Sequence, residues 1–154
     1  MIRVDQISNS KIVKKPWGQE CWIAGPHTDS PYAYKMININ APYMSSIQFH
    51  EVKEETIVIA DGEAVLHFSN EPIDCEKFKQ GLYTEKEITN IINSLEKRKM
   101  SANDYFSVKP HFVHSVEAIT NVTIFETSTL ELEDVFRLRD SHNRPHGHVD
   151  SEHI

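Results

Sequence analysis

The sequence predicts an all-β fold, a sandwich or barrel of short strands with a single inserted helix. Three observations carry that expectation. Several short stretches alternate apolar and polar residues, turn signals such as Asp-Gly separate them, and only one segment has helical periodicity.

The elements follow in order. In "YAYKMINI" (32–39), Tyr32, Tyr34 and Met36 share one strand face, and Ala33, Lys35 and Ile37 share the other. "ETIVIADGEAVLHF" (55–68) is two apolar runs joined at Asp61-Gly62, which predicts a hairpin. In "TEKEITNIINSLEKRK" (84–99), Ile88, Ile91, Ile92 and Leu95 fall on one helical face. Thr84 and Glu87 match a capping box, and Lys97, Arg98 and Lys99 suit the negative C-terminal end, predicting a helix of about four turns. That helix sits in an insertion expected over 69–103, read as a decorated loop or a lid. The runs 105–118 and 122–128 are expected to pair, with a turn at Thr120-Asn121. The closing segment is polar and His-rich, and 145–154 reads as a flexible tail. Histidines 142, 146, 148 and 153 there suggest a solvated tail or a secondary metal site.

At 154 residues, with 39% hydrophobic and 25% charged residues, the chain suits one domain with a real core over 1–154. A formal charge of −7 and the absence of a Lys/Arg block argue against a nucleic-acid partner. No apolar run has the length of a membrane span, and the N-terminus has no signal-peptide core. Cys21 and Cys75 lack metal-type spacing, so free thiols in a reducing cytoplasm are expected.

The stretch "SIQFHEVKEETIVIADG" (46–62) raises the functional question. Gln48 and His50 are two apart and share a strand face, and Glu55 can return to that face after a bend or bulge. His111 and His114 form a second cluster in "VKPHFVHSV". The residues could be an ordinary solvated strand face. Two strands side by side would instead gather Gln48, His50, Glu55 and His114 around one divalent ion, with Zn, Mn, Fe, Co and Ni all compatible with that donor set.

The same stretch resembles the first cupin motif: two ligands one residue apart, then a glutamate, then a glycine. Gln48 stands where most cupins have the first histidine, and His50, Glu55 and Gly62 fit. "VKPHFVH" is similar to the second cupin motif, with His114 at the ligand position, His111 at the usual glycine and Pro110 one place late. The resemblance implies a jelly-roll barrel, the double-stranded β-helix, around a metal held by these four residues. Within the cupins, "KKPWGQE" (14–20), "YKMININAPYMSSIQFH" (34–50) and "LELEDVFRLRDSHNR" (130–144) resemble type II mannose-6-phosphate isomerases. Lys35, Ser46, Gln48, His50, Glu133, Asp134, Arg137, Asp140 and Arg144 are the matching positions. Glu51 and Val52 depart from the basic residues usual after the ligand histidine, and Ile57 lies where an aromatic is usual nearby.

That resemblance implies a metal-dependent aldose–ketose isomerase of the mannose 6-phosphate/fructose 6-phosphate type, shuttling a proton through an enediol. Lys35, Glu126 and His111 are the candidate acid/base groups. Arg137 and Arg144 would grip the phosphate of a small sugar phosphate. A cupin isomerase or epimerase on another sugar, or a non-catalytic carbohydrate-binding cupin, are the alternatives. Trp17 and Gly18 read as structural, and a homodimer joined at sheet edges is expected.

Overall fold

The computed structural model describes residues 1–153. Eleven strands and two helices follow one another as β1 (Lys11–Lys15), β2 (Gly18–Ala24), β3 (Ala33–Ile39), β4 (Ile47–Phe49), β5 (Glu55–Asp61), β6 (Glu63–Phe68), α1 (Cys75–Lys79), α2 (Glu85–Asn93), β7 (Glu96–Ser101), β8 (Tyr105–Val108), β9 (His114–Ala118), β10 (Val122–Ser128) and β11 (Phe136–Arg139). They form two antiparallel sheets, one ordered β1-β2-β3-β10-β5-β8 and the other β11-β4-β9-β6-β7. This is the all-β cupin barrel that the sequence predicts. No helix among the described residues is long and apolar enough to cross a membrane.

The sheets face each other over a core of Trp17, Ile37, Ile39, Ile57, Ile59, Leu66, Met100, Val116, Val122 and Ile124. Period-2 alternation puts these side chains inside: β3 buries Ala33, Lys35, Ile37 and Ile39, and β5 buries Glu55, Ile57 and Ile59. Burying such aliphatic side chains stabilises by about 1.5–3 kcal/mol each.

Three expectations about the elements are corrected. The Asp61-Gly62 turn does not close a hairpin, because β5 and β6 lie in different sheets. Gly62 (φ +88°) makes a corner between them, where a Cβ would meet Asn121 O at 2.3 Å. Each strand thus offers its apolar face to the common core from opposite sides. The run 105–118 is likewise two strands, β8 and β9, in different sheets, and β10 pairs with β3 and β5 rather than with β9. The break falls at Pro110, which lacks an N–H, and His111, whose φ is +75°.

The helix is also shorter than expected. Its capping box forms, Thr84 Oγ1 accepting from Glu87 N at 3.1 Å, but α2 stops at Asn93. Lys97, Arg98 and Lys99 lie in β7, opposite His67, Leu66 and Val65 of β6. The β6–β7 ladder satisfies their backbone where a further helical turn would leave that edge of β6 unpaired. A short helix, α1, capped by Asp74 through Lys77 N at 3.0 Å, was not anticipated. The insertion over 69–103 is therefore only partly helical. Its helical part packs on the outer side of the β11-β4 sheet, where Ile73, Cys75, Leu95, Phe78 and Ile91 surround Phe49, while β7 joins the sheet and adds Met100 to the core. None of the insertion's residues lines the cavity described below. Cys21 and Cys75 are both free.

Candidate metal centre and cavity

One end of the barrel interior is apolar and the other is charged. The inward faces of β3, β5 and β9 carry Lys35, Glu55 and His114 just ahead of Ile37, Ile57 and Val116. β10 runs the opposite way, placing Glu126 after Val122 and Ile124 and directly across from Lys35. Antiparallel pairing thus gathers the polar residues at one end. They line a cavity of about 110 Å³, with Lys15, Glu20, Gln48, Lys53, Arg137 and Arg144 on its walls.

Three donor atoms converge there. His114 Nε2 lies 2.9 Å from Glu55 Oε1, and His50 Nε2 lies 3.5 Å from the same oxygen. All three residues are buried, and their donor atoms fall within 4.8 Å of one another. His50 Nδ1 donates to the carbonyl of Asp134 at 2.5 Å, and His114 Nδ1 to the carbonyl of Phe112 at 3.0 Å. With each ring's proton on Nδ1, both Nε2 lone pairs point inward, and neither atom has a hydrogen-bond partner. Burial also pushes the His50 pKa down, against the pull of Glu55, favouring the neutral ring. In that tautomer the two imidazole nitrogens and the carboxylate oxygen are three electron-pair donors facing one point, and a divalent cation would join them. The cluster fits such an ion.

Gln48 lies on the same wall, its backbone in register with His114, and its Oε1 accepts a hydrogen bond from Ser46. Alternation along β4 explains the placement, because Phe49 points the other way into the outer apolar cluster. Asp134 organises the loop between β4 and β5, its carboxylate accepting from the N–H groups of Glu51, Val52 and Lys53 at 2.7–3.0 Å. Burial raises the Asp134 pKa less than these donors lower it, and the carboxyl sits below its usual range.

Sequence reasoning missed Lys53 and Glu20. The Lys53 ammonium is buried, 2.9 Å from Glu55 Oε2 and 3.4 Å from Glu126 Oε2. Burial opposes its charge, but Glu126 and Glu55 together raise its pKa. Glu20 takes the Lys35 ammonium at 3.0 Å, with Lys35 4.6 Å above the Trp22 ring. Burial pushes Glu20 up, but Lys35, Lys15 and Trp22 outweigh it and hold the carboxyl at about 2. Opposite charges two apart, as at Lys53 and Glu55, were the available signal for the first. Nothing local marks Glu20.

The acid/base candidates separate. Glu126 faces the cavity, and burial, reinforced by the nearby Glu55 and opposed by Lys53 and Lys35, pushes its pKa up to about 7. Lys35 faces inward as a paired cation. His111 does not line the cavity; it stands in the β8–β9 turn, where its N–H donates to the His50 carbonyl at 2.7 Å. Both arginines reach the cavity, but neither is a free fork. Arg144 binds Asp140 through Nε and Nη2 at 3.0 and 2.9 Å and reaches Glu152 through Nη1 at 3.3 Å. Arg137 donates through Nη1 to the carbonyls of Pro145 and Gly147, and its buried Nε has no partner.

Residues 145–153, expected as a free tail, fold back against the cavity mouth; residue 154 lies outside the described residues. Gly147, His148, Val149 and His153 line the cavity, and Glu152 pairs with Lys15 at 2.6 Å. His148 stacks on His153 at 4.2 Å and meets Glu133, while His146 accepts from Arg137 N. Among the described residues only the His50, Glu55 and His114 group gathers metal-type donors, so the tail histidines do not form a second cluster.

Comparison with solved structures finds the same barrel fold in several proteins of low sequence identity. The chain is similar to the L-ribose isomerase of Cellulomonas parahominis (TM-score 0.64, 13% identity, covering 83% of this chain and 72% of that one). It is also similar to KdgF from Halomonas sp. (TM-score 0.57, 13% identity, 80% and 90%) and to the oxalate decarboxylase of Lactobacillus farciminis (TM-score 0.62, 12% identity, 86% and 34%). No protein-family model and no curated protein matches the chain by sequence.

Proposed function

We propose that the protein is a metal-dependent sugar isomerase, and specifically an aldose–ketose isomerase of the mannose 6-phosphate/fructose 6-phosphate type. One observation carries the reading: Glu126, a buried carboxyl pushed up to about 7, shares a small cavity with the His50–Glu55–His114 donor cluster. A base that works near neutral pH beside a cation site is what proton transfer next to a carbonyl requires. The isomerase named among the similar folds supports the reaction class.

His50, Glu55 and His114 would hold the ion, with the Gln48 amide oxygen as a fourth donor once it turns from Ser46. A divalent ion there would polarise the substrate carbonyl and stabilise negative charge on its oxygen. Glu126 takes the proton from C2 of the aldose and returns it to C1, while the hydroxyl proton of O2 passes to O1 so that the carbonyl moves from C1 to C2. Lys53 holds Glu55 and Glu126 in place and moderates the repulsion between them. Lys35, fixed by Glu20, donates hydrogen bonds to sugar hydroxyls from the adjoining wall. The phosphate would lie on the arginine side of the cavity. We also infer a cytoplasmic homodimer, because β1, β8, β11 and β7 leave open sheet edges.

A coupled assay on mannose 6-phosphate with metal-loaded protein tests the reading. Turnover is expected, and Glu126→Gln should lower kcat by about 10²–10⁴-fold with metal content unchanged. Absence of turnover at full metal loading, or an active Glu126→Gln protein, sinks it. A second reading, a cupin isomerase of an uncharged sugar, draws on the Arg144–Asp140 pairing, which leaves less positive charge for a phosphate. Turnover of free aldoses alone would favour it.

A further inference from the structure

We propose that Lys15, Arg137 and Arg144 form an anion seat, occupied in cis by Glu152, and that a phosphate group displaces Glu152 and releases the strap 145–153 from the cavity mouth. This deepens the sugar-phosphate reading and rests on it for the source of the phosphate.

The cavity's charges point there. Five cationic side chains line it: Lys15, Lys35, Lys53, Arg137 and Arg144. Lys35 is neutralised by Glu20, and Lys53 by Glu55 and Glu126, all from the barrel itself. The other three stand on the strap side, where Asp140 already holds Arg144 through Nε and Nη2, leaving Arg144 Nη1, Lys15 and Arg137 to face the strap. There Glu152 reaches in from the strap, its side chain only 7% exposed, to Lys15 Nζ at 2.6 Å and Arg144 Nη1 at 3.3 Å. Arg137 is beside Arg144, with its buried Nε left without a partner, so the seat holds one more donor than the carboxylate uses. A phosphate has three terminal oxygens and about one more negative charge than a carboxylate. It offers an acceptor for the Arg137 Nε that Glu152 leaves unpartnered, besides those for Lys15 and Arg144.

The strap is built to leave. None of residues 145–153 is fully buried; beyond the His146 ring against Phe78 and Phe136, charge and hydrogen bonds hold the strap, His148 pairing with Glu133 and His146 accepting from Arg137 N. Its anchors are Glu152, the Arg137 bonds to the Pro145 and Gly147 carbonyls, Gly147 N to Val135 O at 2.9 Å, and the His153 ring edge-on to Trp22. Two of those anchors involve the seat's own cations. With the strap in place the cavity is about 110 Å³, below the roughly 300–1,000 Å³ of small-molecule pockets. A sugar phosphate therefore needs the strap displaced, and its phosphate supplies the group that displaces it.

Calorimetric titration with inorganic phosphate, paired with limited proteolysis, tests this. Glu152→Gln keeps the shape and removes the competing charge, so phosphate should bind it about tenfold or more tightly than the wild type. In the wild type, phosphate should speed cleavage within 145–153; in Glu152→Gln, cleavage should already be fast without it. Lys15→Gln should abolish tight phosphate binding, and Glu152→Ala should reproduce the Glu152→Gln gain. Equal phosphate affinity in wild type and both Glu152 variants overturns the proposal, as does phosphate binding that leaves strap cleavage unchanged. Isomerase failure with phosphate-driven strap release retained would remove the catalytic reading alone.

Discussion

His114 Nε2 stands 2.9 Å from Glu55 Oε1, while the Nδ1 of the same ring donates to the Phe112 carbonyl at 3.0 Å. Two strands, β5 and β9, one from each sheet, meet to make that contact, and His50 from the loop after β4 joins it to complete a seat that suits a cation. Protein purified without added metal and analysed by mass spectrometry should carry close to one divalent ion per chain. His50→Ala or His114→Ala should abolish it. A chelator should lower the thermal midpoint of the wild type, since an ion at 100 times its Kd adds about 3 kcal/mol of stability. The ion should be lost on acidification, because the imidazoles must be neutral to bind it.

Asp134 acts on the same site from outside. Its carbonyl fixes the His50 tautomer, and its carboxylate gathers the three N–H groups of residues 51–53. Asp134→Ala keeps the carbonyl but frees the loop. Metal affinity should fall by about 10–100-fold, and stability by roughly 1–3 kcal/mol, read by competition titration and urea unfolding. Unchanged metal affinity would limit Asp134 to stability.

Lys53 sits between two buried carboxylates. Lys53→Met would leave Glu55 and Glu126 uncompensated in the interior, costing about 3–5 kcal/mol in urea unfolding. Adding Glu126→Gln to that variant removes one of the stranded charges and should recover part of the loss. A double variant as unstable as the single would show that Lys53 acts by packing alone.

Glu20 predicts an acid limb in stability. Its folded carboxyl sits at about 2, below the ordinary value of 4.5, so the Lys35 pair stabilises the fold above pH 4.5. That contribution, on the order of 3 kcal/mol, fades as the pH falls from 4.5 toward 2. Glu20→Gln should therefore be less stable than the wild type at neutral pH, with the gap closing across that window. A constant gap would rule out the charge as its cause.

Much of this molecule was legible in its sequence. Period-2 alternation marked β3, the apolar run before Asp61-Gly62 marked β5, and spacing within 46–62 singled out Gln48, His50 and Glu55 before any partner was known. The capping box at Thr84 and Glu87 is local chemistry, and it formed as read. Where alternation and capping were the whole story, sequence was sufficient, because both are set by neighbours along the chain. The tertiary structure decided the rest. It turned the Asp61-Gly62 corner between sheets, ended α2 at Asn93 to give β7 a ladder, and put His111 in a turn outside the cavity. It set Lys53 against Glu126 across 73 residues and folded Glu152 back onto Lys15 across 137. Those pairings depend on which sheet each strand joins, and buried charges take whatever partner the closed barrel brings within reach.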